Sequence, residues 1–492
     1  MIKKISTFFD AHSKNPVLLG LICGIYPFLF YYSNNYSSIN SGEHLRFFIL
    51  VFLGIPVIVF TTSHFFFKMF PQFKKYEDKV RFILIIMVTA CLMSQAIKLK
   101  MMKKVLAVIL MITVFLAWKY AKTYKKVLML ILIMAVIPLF KNVVHLYEHS
   151  GRIAWMEYPD DFSDLKLVHR PNIYILQPDG YVAQPVMEGT YYDYESVIYD
   201  WLDARDFKLY DNFRSNYPAS LTSNASMFAM KQHYFGDSMF PTLESSKTRD
   251  VICGDNPVIQ TLKANGYYTF FIGEAEYFMQ NRAVQAYDYY HIPFDTIPYF
   301  SNDERIKNDV AADFKKAFEK GRSIDQPKFY FVERVLPHHV HFLNVDDRIA
   351  ADREEYIENV ESSNAWIKET VQLIEQKDSN ALIVVLADHG GWAGNDGFNE
   401  MYSTQDPVKI TSIYSTLAAI KWNGLEAASY DGQLHSNVNV FRVLLAALSE
   451  NADLLQHMED DSSYNLNNTG LFRNKVVKVI DDAGNRVYEK HK

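Results

Sequence analysis

The sequence predicts a helical membrane region followed by an α/β domain with a mostly parallel central sheet. Three observations predict this: a charge split along the chain, apolar runs confined to its first third, and β-rich runs alternating with helical patterns afterwards. The first 150 residues hold 18 Lys and Arg against 5 Asp and Glu, and the rest hold 32 against 51. Because the basic excess lies in the apolar part, nucleic acid is not expected as a partner.

The amino-acid composition excludes several classes of protein. Of the 492 residues, 49% are hydrophobic and 15% aromatic, which excludes a disordered or collagen-like chain. The three cysteines have spacings that fit neither a disulfide framework nor a cysteine-based zinc site.

Five apolar runs predict five membrane spans. They cover residues 16–32, 45–67, 80–97, 105–118 and 127–140. Each approaches the roughly 20 residues needed to cross a bilayer, although the last two are short. A secretory signal peptide has one such run and then a cleavage site, so it does not fit. A soluble domain with five core helices is disfavoured, because such helices are seldom so poor in acidic residues.

The positive charges predict the orientation. With the N-terminus inside, cytoplasmic segments hold 12 Lys and Arg, and the outer connectors hold five. An odd number of spans then places everything after residue 140 outside. We expect residues 1–145 to be the membrane region, 146–167 a linker and 168–492 a catalytic domain outside the cytoplasm, at a bacterial inner membrane.

In the second part, continuous apolar runs predict strands over 172–177, 267–272, 328–335, 381–387 and 415–422. Helical patterns separate them, over 194–205, 257–265, 309–320 and 354–376. Apolar strands separated by helices are typical of a parallel sheet covered on both faces. In such sheets a site forms just beyond the carboxyl ends of the strands. The tail 467–492 predicts two short strands around a turn.

Two predicted strands end in acidic residues. The first is followed by Asp179 and Gly180, and the fourth by Asp388 and His389. A carboxylate at the end of a buried strand is costly unless it meets a cation or hydrogen-bond donors. An Asp-Gly pair alone is more often a turn. The adjacent oxygen and imidazole ligands of Asp388 and His389 are more specific, and they suit zinc or manganese.

Further histidines lie at element ends. His435 precedes the predicted last core helix, and His338, His339 and His341 follow the third strand. Any one of them is more often an ordinary, partly buried residue. Their repeated position at such ends favours a role in binding a metal or a substrate.

Ser220 is the candidate nucleophile. It begins a helical pattern, and unpaired N–H groups at a helix start favour an alkoxide and an incoming phosphate. A neighbouring cation would lower the pKa of its hydroxyl further. An N-cap role for Ser220 is an equally good interpretation. Thr222, Ser223 and Ser226 are rival hydroxyls.

Four blocks in order resemble the sulfatase-like branch of the alkaline phosphatase superfamily. They are PNIYILQPDGY, SNYPASLTSNASMF, LADHGG and LHSNVNVFRVLL. With the preceding spans, the chain also resembles membrane-bound phosphoethanolamine transferases and, more distantly, lipoteichoic acid synthase.

The resemblance implies a role for each matched residue. Asp179, Asp388, His389 and His435 fall on metal ligands or the histidine before the last helix, and Ser220 falls on the nucleophilic, metal-bound Thr. One of His338, His339 and His341 falls on a histidine that binds a second zinc or the substrate phosphate. The chain departs from the transferases by its Ser nucleophile and by lacking their cysteines. It departs from true sulfatases because Ser220 lacks the Pro and Arg that formylglycine formation needs.

The function expected from this resemblance is a metal-dependent transferase. It moves a phospholipid head group, phosphoethanolamine or phosphoglycerol, to a surface glycan or lipid through a phosphoseryl intermediate. The alternatives are a membrane-tethered phosphatase, phosphodiesterase or sulfatase, and an inactive envelope scaffold. A transporter or channel is disfavoured by the scarcity of charges inside the apolar runs.

Overall fold

A computed structural model describes residues 14–149, 162, 164–233, 247–300, 308–467 and 475–490. The lysines at positions 3 and 4 and most of the predicted linker lie outside the described residues. The chain forms two compact units. Described residues up to 149, together with 280–282 and 298–300, belong to the first unit, and the others belong to the second.

The first unit is helical. Its α-helices are α1 (Pro16–Asn34), α2 (Tyr36–Ile39), α3 (Gly42–Ile49), α4 (Ile55–Met69), α5 (Glu77–Lys98), α6 (Lys103–Tyr120) and α7 (Tyr124–His149). A π-helical turn (Leu50–Gly54) joins α3 to α4, and 3-10 turns (Pro71–Tyr76 and Ala121–Thr123) precede α5 and α7. Helix α1 begins where the Asn15 side chain accepts from the N–H groups of Val17 and Leu18, and it packs against α4, α5 and α7.

Among the described residues, four helical stretches are long and apolar enough to cross a membrane, rather than the five predicted. The stretch Lys103–Tyr147 runs for 45 residues and contains both the fourth and the fifth predicted run. The prediction was wrong because the lysine-rich connector between those runs is itself helical, as the 3-10 turn Ala121–Thr123. At 1.5 Å per residue, such a stretch is about twice as long as a bilayer core is thick.

In the second unit, the described part of the chain forms ten strands with short and long helices. The strands are β1 (Ile173–Asp179), β2 (Lys208–Leu209), β3 (Tyr268–Gly273), β4 (Tyr289–Tyr290), β5 (Lys328–Pro337), β6 (Leu382–Leu386), β7 (Ala418–Lys421), β8 (Ser463–Asn467), β9 (Lys475–Ile480) and β10 (Arg486–Lys490). The helices are α8 (Gln184–Met187), α9 (Ile198–Asp203), α10 (Ser220–Ala229), α11 (Thr248–Cys253), α12 (Pro257–Ala264), α13 (Val310–Arg322), α14 (Arg348–Lys377), α15 (Phe398–Met401), α16 (Pro407–Tyr414) and α17 (Val440–Ser449).

The main sheet has seven strands in the order β2-β7-β6-β1-β5-β3-β4. Strand β1 pairs in parallel with β5 and with β6, whereas β7 runs antiparallel to both of its neighbours. The five predicted strands are all present and the sheet is mostly parallel, so the predicted fold class is confirmed.

Both faces of the central strands are buried, which explains their continuous apolar sequence. Alternate residues of β1 point into different cores: Ile173 and Ile175 into one, Tyr174 and Leu176 into the other. Helices cover the two faces, as a parallel sheet requires. Because β1 and β6 run in parallel, the polar residues at their carboxyl ends lie at the same end of a sheet that is buried on both faces.

The C-terminal strands form a separate antiparallel sheet in the order β10-β9-β8. It is attached to the segment just ahead of α10. The Arg214 side chain donates to the backbone oxygens of Asp461 and Asp482, and the Asn216 side chain donates to that of Ser462. The tail is thus bound to the chain that leads into Ser220.

We expect Gly321→Ala to destabilise the protein, although alanine is normally the better helix residue by about 0.5–1 kcal/mol. Gly321 lies in α13, and a Cβ atom there would overlap the hydroxyl of Tyr330. The Tyr330 ring cannot retreat, since it stacks between Tyr174 at 4.8 Å and Phe270 at 4.3 Å. The expected loss is about 1–3 kcal/mol, measured by thermal unfolding of the detergent-solubilised chain.

Tyr330→Phe is the matched partner variant because it removes the overlapping atom. In the double variant, most of the loss caused by Gly321→Ala should disappear. A higher melting temperature for Gly321→Ala alone would contradict the packing described here.

Candidate metal centre and nucleophile

Three predicted residues meet at the ends of two neighbouring strands. Asp179 is the last residue of β1, while Asp388 and His389 follow β6, which pairs with β1 in parallel. Ligand atoms of all three side chains lie within 4.8 Å of one another, and each residue is at most 4% exposed. His389 Nε2 is 3.0 Å from Asp179 Oδ1 and 3.7 Å from Asp388 Oδ2.

Backbone groups fix the orientation of these ligands. His389 Nδ1 donates to the carbonyl of Gly390 at 2.8 Å, so Nε2 is the atom that faces the carboxylates. Asp388 Oδ1 accepts from the N–H groups of His389 at 3.0 Å and Gly180 at 3.2 Å. Gly180 has φ +70°, and a Cβ atom there would lie 2.7 Å from the backbone of His338. No other residue fits this turn without displacing the loop after β5 that carries His338, His339 and His341, which we call the histidine loop.

The electrostatics of the group favour a cation. Burial by itself lowers the pKa of His389, but the carboxylates of Asp388 and Asp179 outweigh burial and raise it to about 9. Two carboxylates held this close in a dry site attract positive charge, either as a proton on His389 or as a metal ion.

Ser220 faces the same group. It is the first residue of α10, and its hydroxyl lies 3.2 Å from His389 Nε2. Ala219, not Ser220, occupies the N-cap position, and no side chain caps the helix start. The N-cap interpretation of Ser220 is therefore wrong, and its hydroxyl is turned towards the candidate ligands.

The three rival hydroxyls bond backbone carbonyls instead. Thr222 donates to Ala219, Ser226 to Ser223, and Ser223 to Asp388 at 2.6 Å. Among the described hydroxyls of α10, Ser220 is the one that lies beside the side chain of a candidate ligand.

Asn437 is a residue that the sequence did not single out. Its amide donates to the Asp388 carbonyl at 2.8 Å and to the Ser223 hydroxyl at 2.9 Å. It thereby ties α10 to the loop that carries Asp388 and His389. Its place directly after His435 and Ser436, in one of the four matched blocks, was the signal that could have found it.

The histidine loop after β5 separates into two kinds of residue. His341 is exposed, and its Nδ1 pairs with Glu355 at 3.0 Å. His338 Nε2 is 4.0 Å from Asp179 Oδ2, and the His339 ring is 6.2 Å from that of His389. Both use Nδ1 to donate to a backbone carbonyl, as His389 does. Burial lowers the pKa of His339 well below its usual value, so this ring is neutral.

Trp392 packs against two of these histidines and was also missed. Its ring stacks on His339 at 3.6 Å and lies 5.4 Å from the His389 ring. It is 2% exposed and has φ +64°, a conformation that costs a bulky residue free energy. Its indole nitrogen has no hydrogen-bond partner among the described residues. In this strained backbone conformation, the Trp392 ring contacts both His339 and His389.

His435 is not one of the three described residues whose ligand atoms lie within 4.8 Å of one another. Its side chain is exposed, and its backbone carbonyl accepts from the N–H of Arg214. Its predicted role at the metal stays a prediction.

With this geometry established, a family model described as sulfatase matches residues 187–449, more than half of the chain. The chain belongs to the sulfatase family. Membership of this family supports an enzyme that acts on phosphate or sulfate esters. The predicted resemblance is confirmed. A search of curated proteins finds no match.

Several solved structures are similar to this chain at low identity and with TM-scores below 0.5. The integral membrane protein lipooligosaccharide phosphoethanolamine transferase A of Neisseria meningitidis is 13% identical over 89% of this chain and 96% of its own, with a TM-score of 0.41. A putative sulfatase of Bacteroides fragilis is 14% identical over 63% and 86%, at 0.44. The C-terminal periplasmic domain of a Campylobacter jejuni phosphoethanolamine transferase is 13% identical over 56% and 89%, at 0.38.

The residues of this sulfatase-family chain fit a divalent cation. Two carboxylates and an imidazole with its Nδ1 proton committed to a carbonyl form a mixed oxygen and nitrogen donor set, and the Ser220 hydroxyl lies beside it. Asp179, Asp388, His389 and Ser220 are thus the residues that would hold the metal.

We expect Ser220→Ala and His389→Ala to separate metal binding from turnover. Ser220→Ala should keep the metal and lose about a thousandfold or more in ester turnover, because it removes the nucleophile. His389→Ala should lower metal affinity by more than about 100-fold, because it removes a ligand. Metal content and hydrolysis of bis(4-nitrophenyl) phosphate by the purified full chain measure both effects.

Ser226→Ala is the matched control, since its hydroxyl bonds only the helix backbone, and it should keep both properties. If Ser220→Ala lost as much metal as His389→Ala, the loss of turnover could be due to the lost metal. That result would contradict a role of Ser220 as nucleophile that is separate from metal binding.

We expect the ring of Trp392 to hold His389, a candidate metal ligand, in place. Trp392→Ala should lower metal affinity about tenfold, as loss of an outer partner does, while Trp392→Phe should keep it. Trp392→Gly relieves the positive φ, so it should melt higher than Trp392→Ala yet bind metal equally weakly. Metal titration against a chromophoric chelator and apo-protein melting curves provide the readout. Wild-type metal affinity in Trp392→Gly would show that the ring contacts are not needed.

Proposed function

We propose that this chain is a membrane-anchored, metal-dependent transferase that moves a phospholipid head group to an envelope glycan or lipid. The head group is phosphoethanolamine or phosphoglycerol, and the metal is zinc or manganese. The observation that carries the proposal is the placement of Ser220 Oγ 3.2 Å from His389 Nε2, beside two buried carboxylates and at a helix start.

The site supplies what a displacement at phosphorus needs. A divalent cation bound by Asp179, Asp388 and His389 would act as a Lewis acid that lowers the pKa of the neighbouring hydroxyl. The N–H groups at the start of α10 point towards the space in front of Ser220, where they favour a phosphate oxygen. Positioning and charge stabilisation account for most catalysis of phosphoryl transfer.

The first step forms one bond and breaks one. Ser220 Oγ attacks phosphorus, the bond from phosphorus to the glycerol oxygen breaks, and the displaced diacylglycerol oxygen takes up a proton equivalent to the one that Ser220 gave up. The head group stays on Ser220 as a phosphate ester. In the second step an acceptor hydroxyl attacks phosphorus and the bond from phosphorus to Ser220 Oγ breaks. Ser220 takes up a proton equivalent to the one that the acceptor hydroxyl gives up.

The two histidines near the site can bind the substrate. His338 lies close to Asp179, and the neutral His339 carries its Nδ1 proton on a hydrogen bond to Val340 at 2.8 Å. Its unprotonated Nε2 can accept a hydrogen bond from the acceptor hydroxyl, while its lowered pKa makes it a weak base. We assign substrate binding to His338 and His339 rather than to His341, which pairs with Glu355.

The membrane helices support a lipid donor. Four stretches can span a bilayer, and anchoring an enzyme to the membrane raises its effective concentration towards lipid substrates. We place the protein in a bacterial inner membrane with the second unit outside the cytoplasm. The distribution of Lys and Arg favours a cytoplasmic N-terminus. The 45-residue stretch Lys103–Tyr147 is about twice as long as a bilayer core is thick and can cross it twice, which keeps the number of crossings odd. Water as acceptor would make the same site a phosphodiesterase.

We expect a head-group phosphate ester to be trapped on Ser220 when acceptor is absent. The purified, metal-loaded full chain is incubated with phosphatidylethanolamine or phosphatidylglycerol in mixed micelles, quenched in acid and digested. Mass spectrometry should find the peptide containing Ser220 heavier by the head-group phosphate, with diacylglycerol released in equal amount.

The Ser226→Ala control should carry the same modification, and Ser220→Ala should carry none. Continuous release of free head-group phosphate without acceptor would identify a hydrolase. A metal-loaded protein that releases no diacylglycerol from either lipid would contradict the proposal and favour a scaffold.

A further inference from the structure

A pocket of about 320 Å³ lies in the second unit and is lined by residues of α8, of α16 and of the C-terminal strand β10. Its volume is within the range of small-molecule sites, which runs from about 300 to 1,000 Å³. We name it the Arg486 pocket. Its apolar lining and its cation come from Pro185, Val186, Tyr191, Pro407, Val408 and Arg486.

Arg486 supplies a positive charge that no carboxylate pairs with among the described residues. Its Nε and Nη2 donate to the Thr411 hydroxyl at 3.0 and 2.8 Å, and that hydroxyl donates to the Pro407 carbonyl. By contrast, Arg205 pairs with Glu375 at 2.6 Å. Because a guanidinium has five N–H donors, Arg486 keeps three of them for a ligand.

The neighbouring charges are bonded within the protein. Asp406 precedes α16, and its Oδ1 accepts from the N–H of Val408 at 2.8 Å. Lys409 pairs with Glu400 at 2.7 Å. Among the described residues that line the pocket, Arg486 is the charged one. The pocket therefore favours an anion.

The buried wall of the pocket borders the loop that carries His389. The Tyr192 and Ser412 hydroxyls both belong to this wall and lie 2.8 Å apart. The Ser412 hydroxyl donates to the Ala393 carbonyl at 2.9 Å, and the Ser412 carbonyl accepts from the N–H of Trp392 at 3.3 Å. None of the candidate metal ligands lines the pocket, so it is a neighbour of that site and distinct from it.

We propose that the Arg486 pocket binds a small carboxylate with an apolar body. The carboxylate accepts from the free N–H groups of Arg486, and the apolar body lies against the ring of Tyr191 and the side chain of Val408. One guanidinium balances one negative charge, which suits a carboxylate better than a phosphate monoester with its charge of about −1.5 to −2. This inference goes beyond the proposed function and does not depend on it.

The probe is 4-(trifluoromethyl)benzoate, and fluorine NMR follows its binding to the full chain in detergent. A compound of this size should bind with a Kd of about 1 mM. Arg486→Gln should weaken binding about tenfold, because it removes the cation that the carboxylate meets. The neutral 4-(trifluoromethyl)benzamide should bind about tenfold more weakly than the benzoate to the wild type, and equally weakly to Arg486→Gln.

Arg322→Gln is the matched control. Arg322 ends α13, is exposed in the same unit and pairs with Glu319 at 3.1 Å. This variant should bind the benzoate as the wild type does. Equal benzoate affinity in Arg486→Gln and Arg322→Gln would overturn the inference.

Val408→Glu gives a second test if Arg486→Gln does not fold. Val408 is 47% exposed and lies in the first turn of α16, where an acidic residue is favourable. A carboxylate on the pocket lining should weaken benzoate binding about tenfold and leave the benzamide unchanged. Unchanged benzoate affinity in this variant would contradict the inference.

A chelator separates the pocket from the candidate metal centre. Benzoate binding to the wild-type chain should persist in excess chelator, because the Arg486 pocket contains no candidate metal ligand. Loss of benzoate binding on chelation would place the anion at the metal and overturn the inference, while the proposed function would stand.

Discussion

Two carboxylates held together at one end of a dry sheet are the constraint on which the rest of the site depends. Strands β1 and β6 are neighbours and run in parallel, so Asp179 and Asp388 lie at the same end of the sheet. Buried and this close, they repel each other unless positive charge compensates them. The start of α10, the N–H groups of Gly180 and His389, and the His389 ring all supply such charge. The surrounding architecture can be understood as a means of holding a cation between these acids.

Much of this could be predicted from the sequence, because it follows from local patterns. The continuous apolar runs that became β1, β5 and β6 are apolar on both faces, and only a doubly covered sheet requires that. The rule that sites lie beyond the carboxyl ends of parallel strands then located Asp179, Asp388 and His389. Ser220 was found from its position at the start of a helical pattern. Each inference needed only a few consecutive residues.

The remainder depended on contacts between residues distant in the chain. Nothing local distinguishes His341, which turns to Glu355, from His339, which stacks on Trp392. The positive φ of Trp392 and the two hydrogen bonds that Asn437 donates, to Asp388 and to Ser223, depend on tertiary contacts as well. The count of spans was wrong because a lysine-rich connector adopted a 3-10 turn, and hydropathy alone does not separate a helical turn from a loop.

The attachment of the C-terminal sheet has a consequence for biosynthesis. The segment Arg214–Asn216 leads into Ser220, yet its side chains bond backbone atoms of residues 461, 462 and 482, which are made about 250 positions later. Arg214 is buried, and its guanidinium has these distant oxygens as acceptors. These hydrogen bonds can form only after residues 461–482 have been made. A polypeptide that ended before residue 461 would thus carry Asp179, Ser220, Asp388 and His389 and still lack the acceptors that hold the segment leading into Ser220.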